Sequence, residues 1–183
     1  MRPQCLQDVS GPHTVTNMKA LIVYHTNTGH TKRAAEDISA GLRSEGLDVS
    51  IQAAGELAAW DVADQSVIVV GSPCHAGSLA IRAGVSGPVR SALKKLEPSA
   101  LTDKVAGAFS VNCAYGGRRT VHAIEDRLRA AGAQVPRQGV VVKAGVPFSL
   151  FTGPMASEES REQLREFGRS LARAAQGGNR DAE

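Results

Sequence analysis

The segment MKALIVYHTNTGHT, residues 18–31, decides the fold of this chain. Its first half is a continuous apolar run through Leu21, Ile22 and Val23, and its second half is a loop of small polar residues that leads into a helical pattern. A continuous apolar run, unlike an alternating one, indicates a β-strand that is covered on both faces, as in parallel sheets. The segment therefore predicts the opening strand–loop–helix unit of an α/β domain.

The same two patterns alternate along the rest of the chain. Further strands are predicted from apolar runs at 67–70, 105–109 and 140–142, and a weaker stretch at 47–51 completes five. Helices are predicted from a 3.6-residue period at 34–42, at 89–96 with Ser86 as a cap, at 121–128 and at 164–171 after Ser157, with a short helix at 56–62. This order requires right-handed crossovers and an open, doubly wound parallel sheet.

The composition narrows the class of protein. With 183 residues, of which 42% are hydrophobic and 21% charged, we expect one globular domain over 18–176, between a flexible extension at 1–17 and a flexible tail at 177–183. A net charge of +3 and 4% aromatic residues argue against nucleic-acid binding. No apolar run approaches the about 20 residues of a membrane span. Three irregularly spaced cysteines suggest a reducing, cytoplasmic location.

Ligands of such sheets bind outside the carboxyl ends of the strands, so the loops at 25–31, 71–79 and 112–119 are the candidate ligand-binding loops. The first loop combines hydroxyls, a glycine and the N–H groups of a helix start, which together favour an anion. It contains neither GxGxxG nor the GKS or GKT of a nucleoside triphosphatase, so a monophosphate fits best. The alternative is that Thr28 or Thr31 merely caps the helix.

The TNTGHT stretch at 26–31, with its Thr-x-Thr-Gly-x-Thr pattern, resembles the phosphate loop of flavodoxins. The resemblance continues through VGSP at 70–73 and VSGPV at 85–89, and the glycine pair at 116–117 is similar to the flavin loop of flavodoxin-like quinone reductases. It covers about residues 18–175. It implies a three-layer, five-stranded parallel sheet of order 2-1-3-4-5 that binds one FMN noncovalently.

The resemblance also implies a set of cofactor-binding residues, and neither a metal site nor a catalytic side chain. The set comprises Thr26, Asn27, Thr28, Gly29, His30 and Thr31 for the phosphate, and Ser72, Pro73, Cys74, His75, Ala76, Gly77, Asn112, Cys113, Tyr115, Gly116 and Gly117 for the ring. We expect Tyr115 to stack on the ring, and Cys74 or His75 to stand where many flavodoxins have an aromatic residue. Asn112 and Gly117 are expected on the pyrimidine side.

Two redox roles follow from the resemblance: an electron carrier, or an NAD(P)H-dependent reductase of quinone-like acceptors. Basic residues are expected to gather near the flavin, namely Lys32, Arg33, Arg82, Arg118 and Arg119. They would attract an acidic redox partner protein or nucleotide phosphates, or they are ordinary solvated side chains. A homo-oligomer is also compatible with the sequence.

The third loop supports a rival interpretation as a cysteine phosphatase. Cys113, Gly116 and Arg119 have the spacing of a nucleophile and a phosphate-clamping arginine between a strand and a helix. No Asp lies between Asp64 and Asp103 to serve as an upstream general acid, and the first two loops would have no role.

A flavin-free binding module of the same fold is another alternative. A redox pair of Cys74 with Cys113 is a further hypothesis.

Overall fold

The structure is a computed structural model, and it describes residues 18–57, 59–74, 84–112, 116–143 and 157–178. Its elements are β1 Lys19–Tyr24, α1 His30–Ser44, β2 Asp48–Ala53, β3 Gln65–Pro73, α2 Gly87–Lys94, β4 Val105–Asn112, α3 Gly117–Ala130, β5 Val140–Lys143 and α4 Glu158–Gly178. All strand pairs are parallel, in the order β2-β1-β3-β4-β5. The predicted doubly wound sheet is confirmed.

The sheet is the middle of three layers because both of its faces are apolar. One face packs against α1 and α4, with Ile22 and Phe109 completely buried against Ile38 and Phe167. The other face packs against α2 and α3. Successive residues of a strand point to opposite faces, so a strand that is covered twice must be apolar at nearly every position.

The connection from β2 to β3 differs from the prediction. Residues 54–56 form a turn, and neither residue 57 nor residues 59–62 are helical, so the short helix predicted at 56–62 is wrong over the described residues. Leu57 is buried in the cluster under α2, and the Trp60 indole N–H donates to the Ala92 carbonyl at 2.8 Å. These tertiary contacts hold the segment against α2 in place of local helical hydrogen bonds.

The lengths of α2 and α4 also differ from the sequence pattern. α2 ends at Lys94, and Leu96, predicted to share its apolar face, is buried just beyond that end. α4 continues to Gly178. Within the described part of the chain, no helix is both long and apolar enough to cross a bilayer.

Candidate cofactor site at the carboxyl end of the sheet

The site lies where β1, β3 and β4 end side by side. β3 is the central strand of this group, and Tyr24 pairs in register with Gly71 while Pro73 pairs with Val111. The three loops singled out by the sequence therefore begin at one edge of the sheet. This is the edge at which open α/β sheets bind ligands.

The first loop closes on itself before α1 begins. Thr26 Oγ1 accepts a hydrogen bond from the Gly29 N–H at 2.9 Å. Gly29 has φ of +84° and is the N-cap residue of α1. A Cβ at Gly29 would meet no atom within 4 Å, so this position needs glycine for its left-handed backbone and not for space.

No side chain caps α1. Neither Thr28 nor Thr31 therefore has the capping role that was the alternative to a phosphate site. Among the described residues, the backbone N–H groups of His30, Thr31 and Lys32 have no hydrogen-bond partner. The first turn of α1 therefore presents a row of donors at the positive end of the helix dipole, and such a row suits an anion.

The third loop leads into α3 in the same way. Gly116 has φ of +91° and is the N-cap residue, again without a side-chain cap. A Cβ on Gly117 would lie 2.5 Å from Val141 Cγ1 and 3.0 Å from Asn112 Nδ2. Gly117 is therefore needed for the close packing of the start of α3 on the ends of β4 and β5.

Asn112 ends β4 as a buried amide, only 6% exposed. Its Oδ1 has no hydrogen-bond partner within the described residues. An unpaired buried acceptor costs about 1–3 kcal/mol, so a ligand that donates a hydrogen bond to Asn112 Oδ1 would recover that free energy on binding. The structure thus places Asn112 at the carboxyl end of β4, and its contact with the pyrimidine side of a flavin stays a prediction.

The second loop begins with a serine that is fully buried. Ser72 Oγ accepts the Ser86 N–H at 3.0 Å and donates to the Pro73 carbonyl at 2.9 Å. Ser72 thereby holds the start of α2 against β3. Cys74, half-buried, donates its backbone N–H to the Val111 carbonyl at 3.0 Å.

The expectation that Ser86 caps α2 is wrong. Ser86 occupies the N-cap position, but its side chain makes no capping hydrogen bond. The residue is 1% exposed, and its Oγ, like that of the buried Ser110 beside Ser72, has no partner in the part of the chain that is described. Sequence reasoning missed Ser110, although a serine in an otherwise apolar strand was a usable signal.

The rest of the predicted site lies outside the described residues. This holds for His75, Ala76, Gly77, Cys113 and Tyr115, and also for Arg82. The proposed pairing of Cys74 with Cys113 therefore has no described geometry. Within the described ranges, no group of three or more His, Cys, Asp or Glu side chains could hold a metal ion.

Known proteins match this fold and these loops. The family model described as flavodoxin matches residues 22–150. A flavodoxin of Aquifex aeolicus (strain VF5) is 30% identical over 167 residues, which cover 84% of this chain and 85% of that protein. Flavodoxin FldP of Pseudomonas aeruginosa (strain UCBPP-PA14) is 30% identical over 107 residues, or 58% and 57% of the two chains.

Solved structures agree in fold. Oxidised flavodoxin 2 from Bacillus cereus superposes with a TM-score of 0.71 at 22% identity, covering 85% of this chain and 99% of that one. The flavodiiron protein of Giardia intestinalis gives 0.70 at 22% identity, covering 89% of this chain and 38% of that one.

The match to the family model extends over well more than half of the chain and includes the first and third loops. These comparisons favour neither the cysteine phosphatase nor the flavin-free module. The chain belongs to the flavodoxin family and is an FMN-binding flavoprotein that transfers electrons.

Proposed function

We propose that this flavodoxin is an electron carrier that holds FMN in the crevice at the ends of β1, β3 and β4. The observation that carries the proposal is the start of α1, which is closed by the Thr26–Gly29 hydrogen bond and whose first N–H groups have no partner within the described part of the chain. The 30% identity with the flavodoxin of Aquifex aeolicus, which extends over 85% of that protein, supports the role of a carrier. Bound FMN supplies one- and two-electron redox chemistry, and the protein orients and shields it.

Thr26, Asn27, Thr28, Gly29, His30 and Thr31 form the phosphate end of the proposed site. The left-handed Gly29 leads directly into the first turn of α1, whose N–H groups have no partner among the described residues. The Thr28 side chain is exposed and engaged in no hydrogen bond with the described residues, so its hydroxyl is available to a phosphate oxygen. No lysine or arginine is needed in the loop itself, because backbone donors and the helix dipole stabilise the charge.

The ring end is formed by the other two loops. Asn112 Oδ1 would accept a hydrogen bond from an N–H of the flavin's pyrimidine ring, and that bond would offset the cost of a buried acceptor that has no partner among the described residues. Pro73 and Cys74 would lie along one side of the ring, whereas His75, Ala76, Gly77 and Tyr115, of which Tyr115 is expected to stack on the ring, lie outside the described residues. Gly116 and Gly117 allow α3 to begin close to this edge.

The test is titration of the apoprotein with FMN and with riboflavin, which lacks the phosphate. A purified holoprotein should show flavin bands near ~370 and ~450 nm. FMN should bind at least about tenfold more tightly than riboflavin, because the phosphate forms charge-assisted hydrogen bonds. Equal affinities would contradict the phosphate assignment, and failure to bind either flavin would contradict the function.

A second candidate is an NAD(P)H-dependent reductase of quinone-like acceptors. The exposed basic side chains in the first turns of α1 and α3 favour it, since they could bind nucleotide phosphates. NADPH or NADH would then bleach the flavin under anaerobic conditions, and a quinone would restore the colour. A pure carrier would not be bleached by either nucleotide alone.

Two coarser attributes belong to the same proposal. We place the protein in the cytoplasm, because its three cysteines are irregularly spaced and suggest a reducing compartment, which cell fractionation would test. Light scattering on the holoprotein would test a homo-oligomer. Its physiological partner is a redox protein or a small quinone-like acceptor.

A further inference from the structure

Exposed basic side chains lie at the carboxyl end of the sheet, at the starts of three helices and the end of one strand, whereas the start of α4 at the same end carries Glu158 and Glu159. The basic side chains are Lys32 and Arg33 in α1, Arg90 in α2, Arg118 and Arg119 in α3, and Lys143 at the end of β5. We call these six residues the basic rim. Each lies in the first turn of its helix or on the last residue of its strand, so all of them belong to the end that carries the flavin site.

The basic rim lies on both sides of the crevice. α1 packs on one face of the sheet, and α2 and α3 pack on the other. The strands that precede α1 and α3, β1 and β4, are two strand spacings apart, roughly 10 Å. Lys143 extends the basic rim beyond β4, because it pairs in register with Asn112.

No acid of the described chain neutralises the basic rim. Among the residues that the structure describes, no carboxylate lies within 4.0 Å, the distance limit for an ion pair, of any of these six side chains. Arg90 and Arg118 donate to the Val85 and Gly139 carbonyls, each at 2.9 Å. Those bonds orient the two guanidinium groups but leave their charge uncompensated.

The placement of these charges opposes the helix dipole. Positive side chains near a helix N-terminus are unfavourable, and acids are favoured there. Yet α1, α2 and α3 all lack an acid in the first turn. The sequence of the segments 75–83, 113–115 and 144–156, which lie outside the described residues, contains no Asp or Glu either.

One flavin phosphate does not account for this arrangement. A phosphate at the start of α1 is bound on one face of the sheet, whereas Arg90, Arg118 and Arg119 lie on the other. The charges on the second face are therefore available to a second anionic molecule. A molecule that engages the whole basic rim must be large enough to reach both faces of the sheet at once.

We propose that the basic rim is the docking surface for a redox partner protein whose own docking face is acidic. This inference rests on the electron-transfer function and specifies the partner's chemistry. Complementary charge would steer the two proteins together and hold the flavin end against the partner. The arginines would bind carboxylates in the bidentate geometry that lysine lacks.

The test uses one haem protein in two charge states: basic cytochrome c, and the same protein with its lysines succinylated so that it is acidic. Each encounter oxidises the reduced flavin by one electron and reduces Fe(III) haem to Fe(II). Stopped-flow rates are measured with dithionite-reduced holoprotein at low and high ionic strength. Wild type should reduce the acidic form faster, and added salt should abolish the preference.

The decisive variant is Arg119→Glu/Lys143→Glu, which reverses two charges of the basic rim away from the α1 phosphate end. The ratio of the acidic-form rate to the basic-form rate should fall at least about tenfold. The matched control, Lys19→Glu/Lys94→Glu, makes the same change in net charge at two exposed sites on the opposite end of the sheet. Its ratio should stay near that of wild type.

Each contrary outcome has one meaning. An unchanged ratio in the variant, or an equal fall in the control, would overturn the proposed docking surface. The flavin spectrum of every sample is recorded first, so a protein that lacks FMN would contradict the proposed function and not the docking surface. Bleaching by NADPH with no response to the charge of the cytochrome would assign the basic rim to a nucleotide and overturn the proposal.

Discussion

The start of α4 and the starts of α1 and α3 lie at the same end of the sheet, yet they are built differently. α4 is preceded by Ser157, whose Oγ accepts the Ser160 N–H at 3.3 Å, and Glu158 and Glu159 occupy its first turn. α1 and α3 begin after left-handed glycines with neither a side-chain cap nor an acid. The contrast shows which helix start the chain satisfies by itself and which it leaves for a ligand.

The basic side chains differ in the same way. The arginines of α4 are paired with acids, as Arg161 and Arg165 with Asp37 and Glu158, Arg169 with Glu162 and Glu166, and Arg173 with Glu45 and Glu166. The basic rim has no such partners within the described residues. Pairing within the fold serves the packing of α4 on α1, whereas unpaired charge is available to another molecule.

The largest effect is expected from a substitution that disrupts the packing of α4 on α1. A Cβ on Gly168 would overlap the Ile38 carbonyl and approach the Leu42 N–H, so α4 packs on α1 only because this residue is glycine. Gly168→Val should lower the free energy of unfolding of the apoprotein by about 3 kcal/mol, measured by urea denaturation. Gly177→Ala, in the same helix but facing open space, should leave it unchanged or slightly raised. Equal stabilities would show that the contact is loose.

The next effect separates the two kinds of helix start. Thr28→Val should weaken FMN binding between about tenfold and a hundredfold, because it removes a hydrogen bond to a charged phosphate, while the apoprotein keeps its stability. Ser157→Ala should do the reverse, lowering stability by about 1 kcal/mol with FMN affinity unchanged. Flavin fluorescence titration and thermal unfolding measure the two properties. If both variants changed the same property, the distinction between capped and ligand-binding starts would be lost.

A smaller effect is expected when the charge of one side chain is reversed in the first turn of α1 or of α4. Lys32→Glu places an acid in the first turn of α1, so the apoprotein should gain about 0.3–1 kcal/mol while FMN binds more weakly. Glu159→Lys in α4 should lose a similar amount with no change in FMN affinity. If Lys32→Glu destabilised the apoprotein, the helix dipole would not be the dominant electrostatic effect at the start of α1.

The smallest expected effect is on the melting temperature at acidic pH. Arg169, which hydrogen-bonds both carboxylates, holds the pKa of Glu162 and that of Glu166 below the ordinary value of 4.5. A lowered pKa contributes stability above the unfolded value, and that stability is lost as the pH falls through the folded one. Glu162→Gln should therefore flatten the decline of the melting temperature between about pH 5 and pH 3, whereas exposed Glu97→Gln should not. Both surface pairs are open to salt, so the change should be slight.

Sequence patterns predicted the elements that depend on local chemistry. The continuous apolar runs identified β1, β3, β4 and β5, since a strand buried on both faces cannot contain regular polar positions, and a weaker stretch at 47–51 identified the edge strand β2. Gly29 and Gly116 were recognised in their loops, and both have the positive φ that glycine adopts without strain. The first and third loops were predicted to belong to the site because each follows a strand at the carboxyl end of the sheet.

Other features depended on partners far along the chain. The stretch at 56–62 has a helical pattern, but Trp60 bonds to Ala92 and the segment packs under α2. Ser86 has the identity of a cap, but its N–H is held by Ser72 and its side chain turns inward. In both cases the tertiary contact outweighed a weak local preference.

The sequence by itself determined the strands, the left-handed glycines and the order of elements, because apolar continuity and backbone freedom belong to each residue wherever the chain goes. Only the tertiary structure decided that Asn112 Oδ1 is buried without a partner, that α1 and α3 start uncapped, and that the arginines of α4 are paired while the basic rim is not. The reason is physical: a hydrogen bond or an ion pair needs two groups within a few ångströms, and which groups meet is settled only when the helices pack on the sheet.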